Sequence, residues 1–130
     1  MVRTAGWVAI LAATCLTIAC SDPPLVVDTI QVGRSLNVDQ SIGELTTAFK
    51  PNETVYVSVL TKARGSSTIR VRWYLGTQLL SDREKQASFK GAGATEFHMQ
   101  SASGFPLGDY SVDVTVDGQP AGKRDFKVVK

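Results

Sequence analysis

The chain has 130 residues, of which 43% are hydrophobic and 20% are charged, and its formal net charge is +2. This length accommodates one sizeable hydrophobic core, and the hydrophobic content excludes intrinsic disorder. The charge is too small to indicate a nucleic-acid partner, and the average composition excludes a polytopic membrane protein. The apolar residues are nevertheless concentrated at the start of the chain.

The first 20 residues have the organisation of an export signal. Arg3 is followed by a stretch without charge from Trp7 to Ala19. One basic residue followed by about a dozen apolar residues is the layout of a secretory signal peptide. The stretch is also shorter than the roughly 20 residues that a membrane-spanning helix needs. We therefore predict a cleaved signal-peptide helix over residues 1–19.

The junction after this stretch resembles the lipobox of bacterial lipoproteins. The resemblance is carried by the run Leu16-Thr17-Ile18-Ala19-Cys20, in which a small residue precedes the cysteine. It implies that a peptidase cleaves before Cys20, whose sulfur carries a thioether-linked diacylglyceride and whose freed amine accepts a further acyl chain. Thr17 departs from the leucine that the family prefers at this position. Two alternatives stay open: an ordinary thiol at Cys20, and an uncleaved membrane anchor.

Lipidation would make the bilayer the first partner of the mature chain, with no cofactor other than the covalent lipid. Ser21 follows the cysteine, and the resemblance then implies an outer-membrane anchor with the protein facing the periplasm. Cys15 would leave with the signal peptide, so no disulfide is expected. We assign residues 20–28 to a lipidated tether, in which Pro23-Pro24 favours an extended chain that keeps the domain close to the bilayer.

From residue 29 onward apolar and polar residues alternate with a period of two, which predicts β-strands. The clearest runs are residues 55–60, 69–75, 96–100, 110–117 and 126–129, with weaker ones at 29–36, 46–50 and 86–90. Short strands at this spacing predict an all-β fold, an antiparallel β-sandwich of about seven strands over residues 29–130. Asp117-Gly118 indicates a hairpin connection, which we expect to be longer than a two-residue turn.

Two landmarks in these runs resemble those of immunoglobulin-like domains. Trp73 lies in the third main strand, where such domains bury a tryptophan, and Gly108-Asp109-Tyr110-Ser111-Val112 is similar to their tyrosine-corner segment. The resemblance covers residues 28–130 and implies a fold rather than an activity. It also implies that Val112 and Val57 stand where antibody domains have their disulfide. Phe105 is expected to close one end of the sandwich.

A narrower resemblance is to the sandwich domains of uncharacterised proteobacterial lipoproteins. It is carried by several short segments of the mature chain. These are Phe49-Lys50-Pro51, Tyr56-Val57-Ser58-Val59, Trp73, Phe97-His98, Pro106-Leu107-Gly108-Asp109-Tyr110 and Phe126-Lys127-Val128. This resemblance implies the same fold and localisation, but no substrate.

Residues that could support catalysis or metal binding are scarce. His98 is the only histidine, and we expect it to be an exposed strand residue. No Gly-x-Ser-x-Gly motif is present for a serine hydrolase. The acidic run that starts at Asp113 is similar to the start of a calcium loop, but Arg124 occupies the position of its bidentate glutamate. We therefore predict no catalytic residue, no metal site and no enzymatic activity.

The most promising surface is the outer side of the tryptophan strand, where Arg70, Arg72 and Tyr74 lie in a row. Arginine and tyrosine are enriched in protein interfaces, so these three are the candidate partner-binding residues. The alternative is that Arg70 or Arg72 forms an ordinary cross-strand ion pair with Asp113.

The leading hypothesis is a membrane-anchored envelope lipoprotein that acts as a non-catalytic protein-interaction module. Its partner would be an envelope protein, bound by this sheet face or by an exposed edge strand. The alternative is a glycan-binding accessory module of the cell envelope, and a small hydrolase is a third hypothesis.

Overall fold

The computed structural model describes residues 22–130, so the predicted signal peptide and Cys20 lie outside the described residues. The described part consists of β-strands and loops without a helix. The strands are β1 (Val27–Gly33), β2 (Ala48–Phe49), β3 (Val55–Thr61), β4 (Gly65–Leu75), β5 (Gln78–Phe89), β6 (Gly93–Met99), β7 (Gly108–Val116) and β8 (Gln119–Val128). Over the described residues, no helix has the length and apolar character needed to cross a membrane. The predicted all-β fold is confirmed, and the strand beyond the expected seven is the two-residue β2.

The strands form two sheets. One has the order β1-β3-β6 and the other β2-β8-β7-β4-β5. All pairs are antiparallel except β2 with β8. This arrangement is an immunoglobulin-like sandwich, as the landmarks predicted.

The core is formed by the inward residues of both sheets, and it follows the predicted alternation. Trp73 is 1% exposed, and Val57 and Val112 are both 0% exposed. The two valines belong to a single hydrophobic cluster that extends across both sheets. The core therefore contains two packed valines at the positions where antibody domains have their disulfide, as the resemblance implied.

The end of the sandwich near β7 has the predicted tyrosine corner. The hydroxyl of Tyr110 donates a 2.6 Å hydrogen bond to the backbone oxygen of Pro106. Phe105 is buried, and its ring lies 6.1 Å from that of Tyr110 in an edge-to-face arrangement. The expectation that Phe105 closes one end of the sandwich is confirmed.

The prediction of a long connection at Asp117-Gly118 is wrong. Val116 pairs directly with Gln119, so the hairpin loop has two residues. Both have positive φ values, 50° at Asp117 and 80° at Gly118, as a type I′ turn requires. The twist of this turn matches that of the flanking strands, which is why the tight form is accommodated. The irregularity in the ladder instead lies between Val114 and Thr115.

β5 was predicted only over residues 86–90 but begins at Gln78, after a two-residue turn from β4. It is an edge strand, and most of its residues are exposed. A strand with water on both faces needs no alternation of apolar and polar residues. Its centre, Asp82-Arg83-Glu84-Lys85, therefore lacked the pattern that revealed the other strands.

The chain before β1 packs on the sandwich. The backbone oxygen of Pro23 accepts a 2.9 Å hydrogen bond from the amide of Ser66. The amide of Leu25 donates to the Ser67 hydroxyl at 2.8 Å, and its side chain is 4% exposed. β1 then begins at Val27, two residues before the predicted domain boundary. Pro23 and Leu25 are therefore in contact with β4, and the lipidated tether over residues 20–28 stays a prediction.

Candidate binding surface

β4 presents Arg70, Arg72 and Tyr74 on the outer face of the five-stranded sheet, as the alternation predicted. Arg70 donates two hydrogen bonds to the carboxylate of Asp82, from Nε to Oδ1 at 2.6 Å and from Nη2 to Oδ2 at 2.5 Å. These hydrogen bonds hold the pKa of Asp82 below its usual 3.8 and raise the pKa of Arg70. Arg72 also approaches Asp82, with Nε 3.4 Å from Oδ2.

The ion-pair partner of the arginines is therefore Asp82 on β5, rather than Asp113. Arg72 does lie opposite Asp113 in the register, but its charge is directed to the other neighbouring strand. Asp113 in turn lies opposite Lys123. Positive and negative side chains thus alternate across the outer face of the sheet. A partner that binds this face would have to displace these exposed ion pairs, each of which is weak. The binding role of Arg70, Arg72 and Tyr74 stays a prediction.

A groove that the sequence did not indicate lies between the two sheets. β5 and β6 are edge strands of different sheets on the same side of the sandwich, and the groove between them has a volume of about 540 Å³. Its exposed apolar lining comes from Leu80 and the half-buried Met99, whereas Trp73 and Phe97, which also line it, are 1% and 4% exposed. Leu80 lies at an irregularity in the β4–β5 ladder, between residues that pair with Tyr74 and Trp73. Bulges of this kind redirect side chains, and here the bulge adds a leucine to the groove.

Basic side chains line the groove above this apolar surface. The Lys85 ammonium donates to the backbone oxygen of Glu96 at 2.5 Å and lies 5.0 Å from the centre of the Phe97 ring. His98 contacts the Glu96 carboxylate through Nδ1. Arg83 also lines the groove, and within residues 22–130 its guanidinium forms neither an ion pair nor a side-chain hydrogen bond. The groove therefore combines apolar area with an available positive charge.

Both strands beside the groove have an unpaired edge. Over the described residues β5 pairs only with β4, and β6 only with β3. Such edges offer free backbone amides and carbonyls to another extended chain. Directly opposite residues in a sheet point to the same face. In a symmetric antiparallel pair of β5 strands centred on Arg83 or Glu84, Asp82 would therefore face Glu84, or Arg83 would face Lys85. In these two registers the charge pattern of β5 therefore disfavours self-pairing.

His98 lies on the exposed face of β6, next to Glu96. Residues 22–130 contain no group of three His, Cys, Asp or Glu side chains placed to hold a metal ion. Most ring pairs in this part of the chain involve buried residues, whereas Tyr56 and His98 form a surface pair tilted by 47°. A sugar ring is usually stacked on coplanar exposed aromatic rings, so this geometry does not favour the glycan-binding alternative.

The fold is shared with solved structures at low sequence identity. An immunoglobulin-like protein from Pseudomonas aeruginosa superimposes with a TM-score of 0.58 and 15% identity, covering 83% of this chain and 98% of that one. A CARDB domain from Pyrococcus furiosus, determined in complex with di-metal ions, gives a TM-score of 0.45 and 18% identity over 83% of this chain and 93% of that one. The second likeness is too weak to carry an argument. No protein-family model matches the chain, and no curated protein matches it.

The likeness to the Pseudomonas aeruginosa protein establishes the class: the described chain is an immunoglobulin-like β-sandwich domain. At 15% identity the comparison extends to the fold and not to a ligand or an activity. The function must therefore be argued from the surfaces of this chain.

Proposed function

We propose that this protein is a lipoprotein of the bacterial envelope, anchored in the outer membrane through Cys20 and facing the periplasm. Its sandwich is a non-catalytic module that binds a partner protein in the groove between β5 and β6. The observation that carries the binding role is the coincidence of unpaired strand edges with an apolar surface in one groove. The anchor rests on the lipobox resemblance.

The groove suits an extended segment that adds to the unpaired edge of β6 and displaces the Lys85 ammonium from the backbone oxygen of Glu96. β6 has seven residues, so this edge is about 23 Å long and pairs with a segment of similar length. Backbone hydrogen bonds along the edge would supply affinity, while alternate side chains reach the apolar surface formed by Leu80 and Met99. Arg83 favours an acidic segment, because its charge has no partner in the described part of the chain.

The binding site is tested by photo-crosslinking in the cell envelope. The two adjacent leucines of β5 provide a matched pair, because Leu80 lines the groove whereas Leu79 pairs with Tyr74 on the other side. A photoreactive residue at position 80 is expected to capture a partner protein, and one at position 79 is not. Capture of the same protein at both positions, or at neither, would contradict the proposed site.

Charge reversals separate the two candidate surfaces. Arg83→Glu is expected to abolish capture from position 80, because it replaces the available positive charge of the groove. Arg72→Glu changes the outer sheet face and is expected to leave capture intact. The opposite result would place the partner on the face that contains Arg70, Arg72 and Tyr74.

The anchor is tested with the two cysteines. Cys20→Ala is expected to abolish lipid labelling with radioactive palmitate and to leave the protein unprocessed or soluble. Cys15→Ala is the matched control, because this residue lies in the predicted signal peptide and its loss leaves the acceptor intact. Lipid labelling that persists in Cys20→Ala would refute the proposed anchor.

A further inference from the structure

The chain is fixed to the sandwich from Asp22 onward. The Asp22 carboxylate accepts hydrogen bonds from Arg64 Nη1 at 2.9 Å and from the Ser66 hydroxyl at 3.0 Å. Leu25 is buried three residues later. These contacts place the start of the described chain at one end of the domain, beside the loop between β3 and β4.

We call this the proximal end and define it by four connections: residues 62–64, residues 90–92, the hairpin turn at 117–118, and residues 37–41 of the β1–β2 loop. The opposite, distal end includes the β4–β5 turn at Gly76 and Thr77. β4 connects the two ends with 11 residues, which corresponds to about 35 Å.

Residues 37–41 reach the proximal end because the β1–β2 loop folds back over the outer face of the three-stranded sheet. Leu36 bridges Ile42, and the buried hydroxyl of Ser58 donates to the backbone oxygen of Gln40 at 2.8 Å. The tip is ordered further by hydrogen bonds between Asp39 and Ser41. These interactions hold Val38 fully exposed at the tip of the loop.

The position of Val38 relative to the strand ends is also defined. It borders a shallow depression at the C-terminal end of β3 and the N-terminal end of β6, whose lining also includes Thr61, Phe89 and Gly93. Val38 therefore adds an exposed apolar side chain to the proximal end of the sandwich.

We propose that the proximal end rests on the bilayer, with Val38 in the lipid interface, and this inference rests on the proposed lipidation of Cys20. Only Ser21 lies between Cys20 and Asp22, and the two Cα–Cα steps from Cys20 to Asp22 extend over at most about 7 Å. Since Asp22 is bonded to Arg64 and Ser66, the lipid brings this end of the sandwich to the membrane surface.

The charge of the proximal end does not favour anionic lipid. Lys62 pairs with Asp28 at 3.2 Å, and Arg64 pairs with Asp22 at 2.9 Å. The proximal end also has the exposed Lys90 and the exposed Asp39, which are of opposite charge. The covalent lipid and Val38, rather than a basic patch, therefore determine the orientation, and a zwitterionic bilayer is sufficient.

This orientation has a consequence for the groove. β5 and β6 both run between the proximal and distal ends, so the groove lies along the side of the domain. Its long axis is then perpendicular to the membrane surface. A partner segment would bind parallel to the membrane normal, within about 35 Å of the bilayer.

Depth-dependent quenching tests the proposal on the lipidated protein in phosphatidylcholine vesicles. An environment-sensitive fluorophore is attached to one introduced cysteine, either in Val38→Cys or in Thr77→Cys. The quencher is a spin label on the lipid headgroup. Fluorescence from position 38 is expected to be lost and that from position 77 retained. Equal quenching at both positions in vesicle-bound protein would overturn the orientation while leaving the lipid anchor intact.

Failure of the anchor gives a different result, because a protein without lipid would not float with the vesicles. Asp22→Ala removes the contacts to Arg64 and Ser66 and should reduce quenching at position 38 without releasing the protein. Adding phosphatidylglycerol is expected to change neither label. A marked increase in quenching at position 38 with anionic lipid would show that charge orients the domain, contrary to the proposal.

Discussion

Tyr110 donates its hydroxyl proton to the backbone oxygen of Pro106, with 2.6 Å between the two oxygen atoms. The ring of Tyr110 also stacks on Phe126, with centroids 5.1 Å apart. One side chain thereby ties the loop before β7 to the core and to β8. Because residues 22–130 contain no disulfide, such contacts contribute directly to the stability of the sandwich.

We expect Tyr110→Phe to lower the free energy of unfolding by about 1–2 kcal/mol, because the Pro106 oxygen loses its donor while the ring packing is retained. Urea unfolding measures the change. Tyr74→Phe on the partly exposed sheet face is the control and should change stability by less than about 0.5 kcal/mol. Equal effects of the two substitutions would contradict the role of the hydrogen bond.

Alkaline pH should destabilise the domain through the same residue. Burial raises the pKa of Tyr110 above its usual 10.0, because the charged phenolate is poorly solvated. The unfolded chain therefore loses this proton at a lower pH than the folded chain. Stability contributed by the neutral phenol is present below pH 10 and is lost as the pH rises further. Thermal melts from pH 9 to 11 should decline less steeply for Tyr110→Phe than for the parent protein.

Val112→Ala tests the hydrophobic packing that stands in place of a disulfide. Val112 is 0% exposed, so truncation removes buried methyl groups and leaves a cavity, at a cost of about 2 kcal/mol. Thr115→Ala on the outer face of the same strand should cost much less. A chemical denaturation series on both variants makes the comparison, and similar midpoints would argue against a tightly packed core at Val112.

The β7–β8 turn offers a test of backbone conformation alone. Gly118 has a φ of +80°, and a β-carbon there would meet nothing within 4 Å. Gly118→Ala is expected to cost about 1 kcal/mol, since a residue with a β-carbon disfavours this conformation. Gly91→Ala is the matched control, because that site is equally open but has no positive φ. If both alanines are tolerated equally in thermal melts, the turn is not of type I′.

Acid titration should reveal the Arg70–Asp82 pair. Hydrogen bonds from Arg70 lower the pKa of Asp82, so stability from this pair is present above pH 3.8 and is lost as the pH falls through the lowered value. In Arg70→Gln the pKa of Asp82, followed by NMR, is expected to move back towards 3.8. Arg83→Gln, on the opposite face of β5, should leave it unchanged. An unaltered titration in Arg70→Gln would contradict the pairing.

The ion pairs of Arg70 and Arg72 depend on β5, a strand that the sequence pattern indicates only in part. The alternation placed both arginines on the outer face correctly, because a side chain's face depends only on its position along the strand. Asp113 was a reasonable partner, and it does lie opposite Arg72. The competing carboxylate, Asp82, lies in the exposed part of β5, which has no alternating pattern that would place it beside Arg70.

The sequence by itself determined the all-β class, most strands, the buried Trp73, the tyrosine corner at Tyr110 and the position of the predicted lipid acceptor, Cys20. These features follow from local patterns: strand periodicity, turn-forming residues and the order of residues at the predicted cleavage site. Only the tertiary structure decided the groove between β5 and β6, the packing of Leu25 and the position of Val38. Each of these depends on how distant segments approach one another, and an exposed edge strand or a folded-back loop has no periodic burial that would mark its neighbours in the sequence.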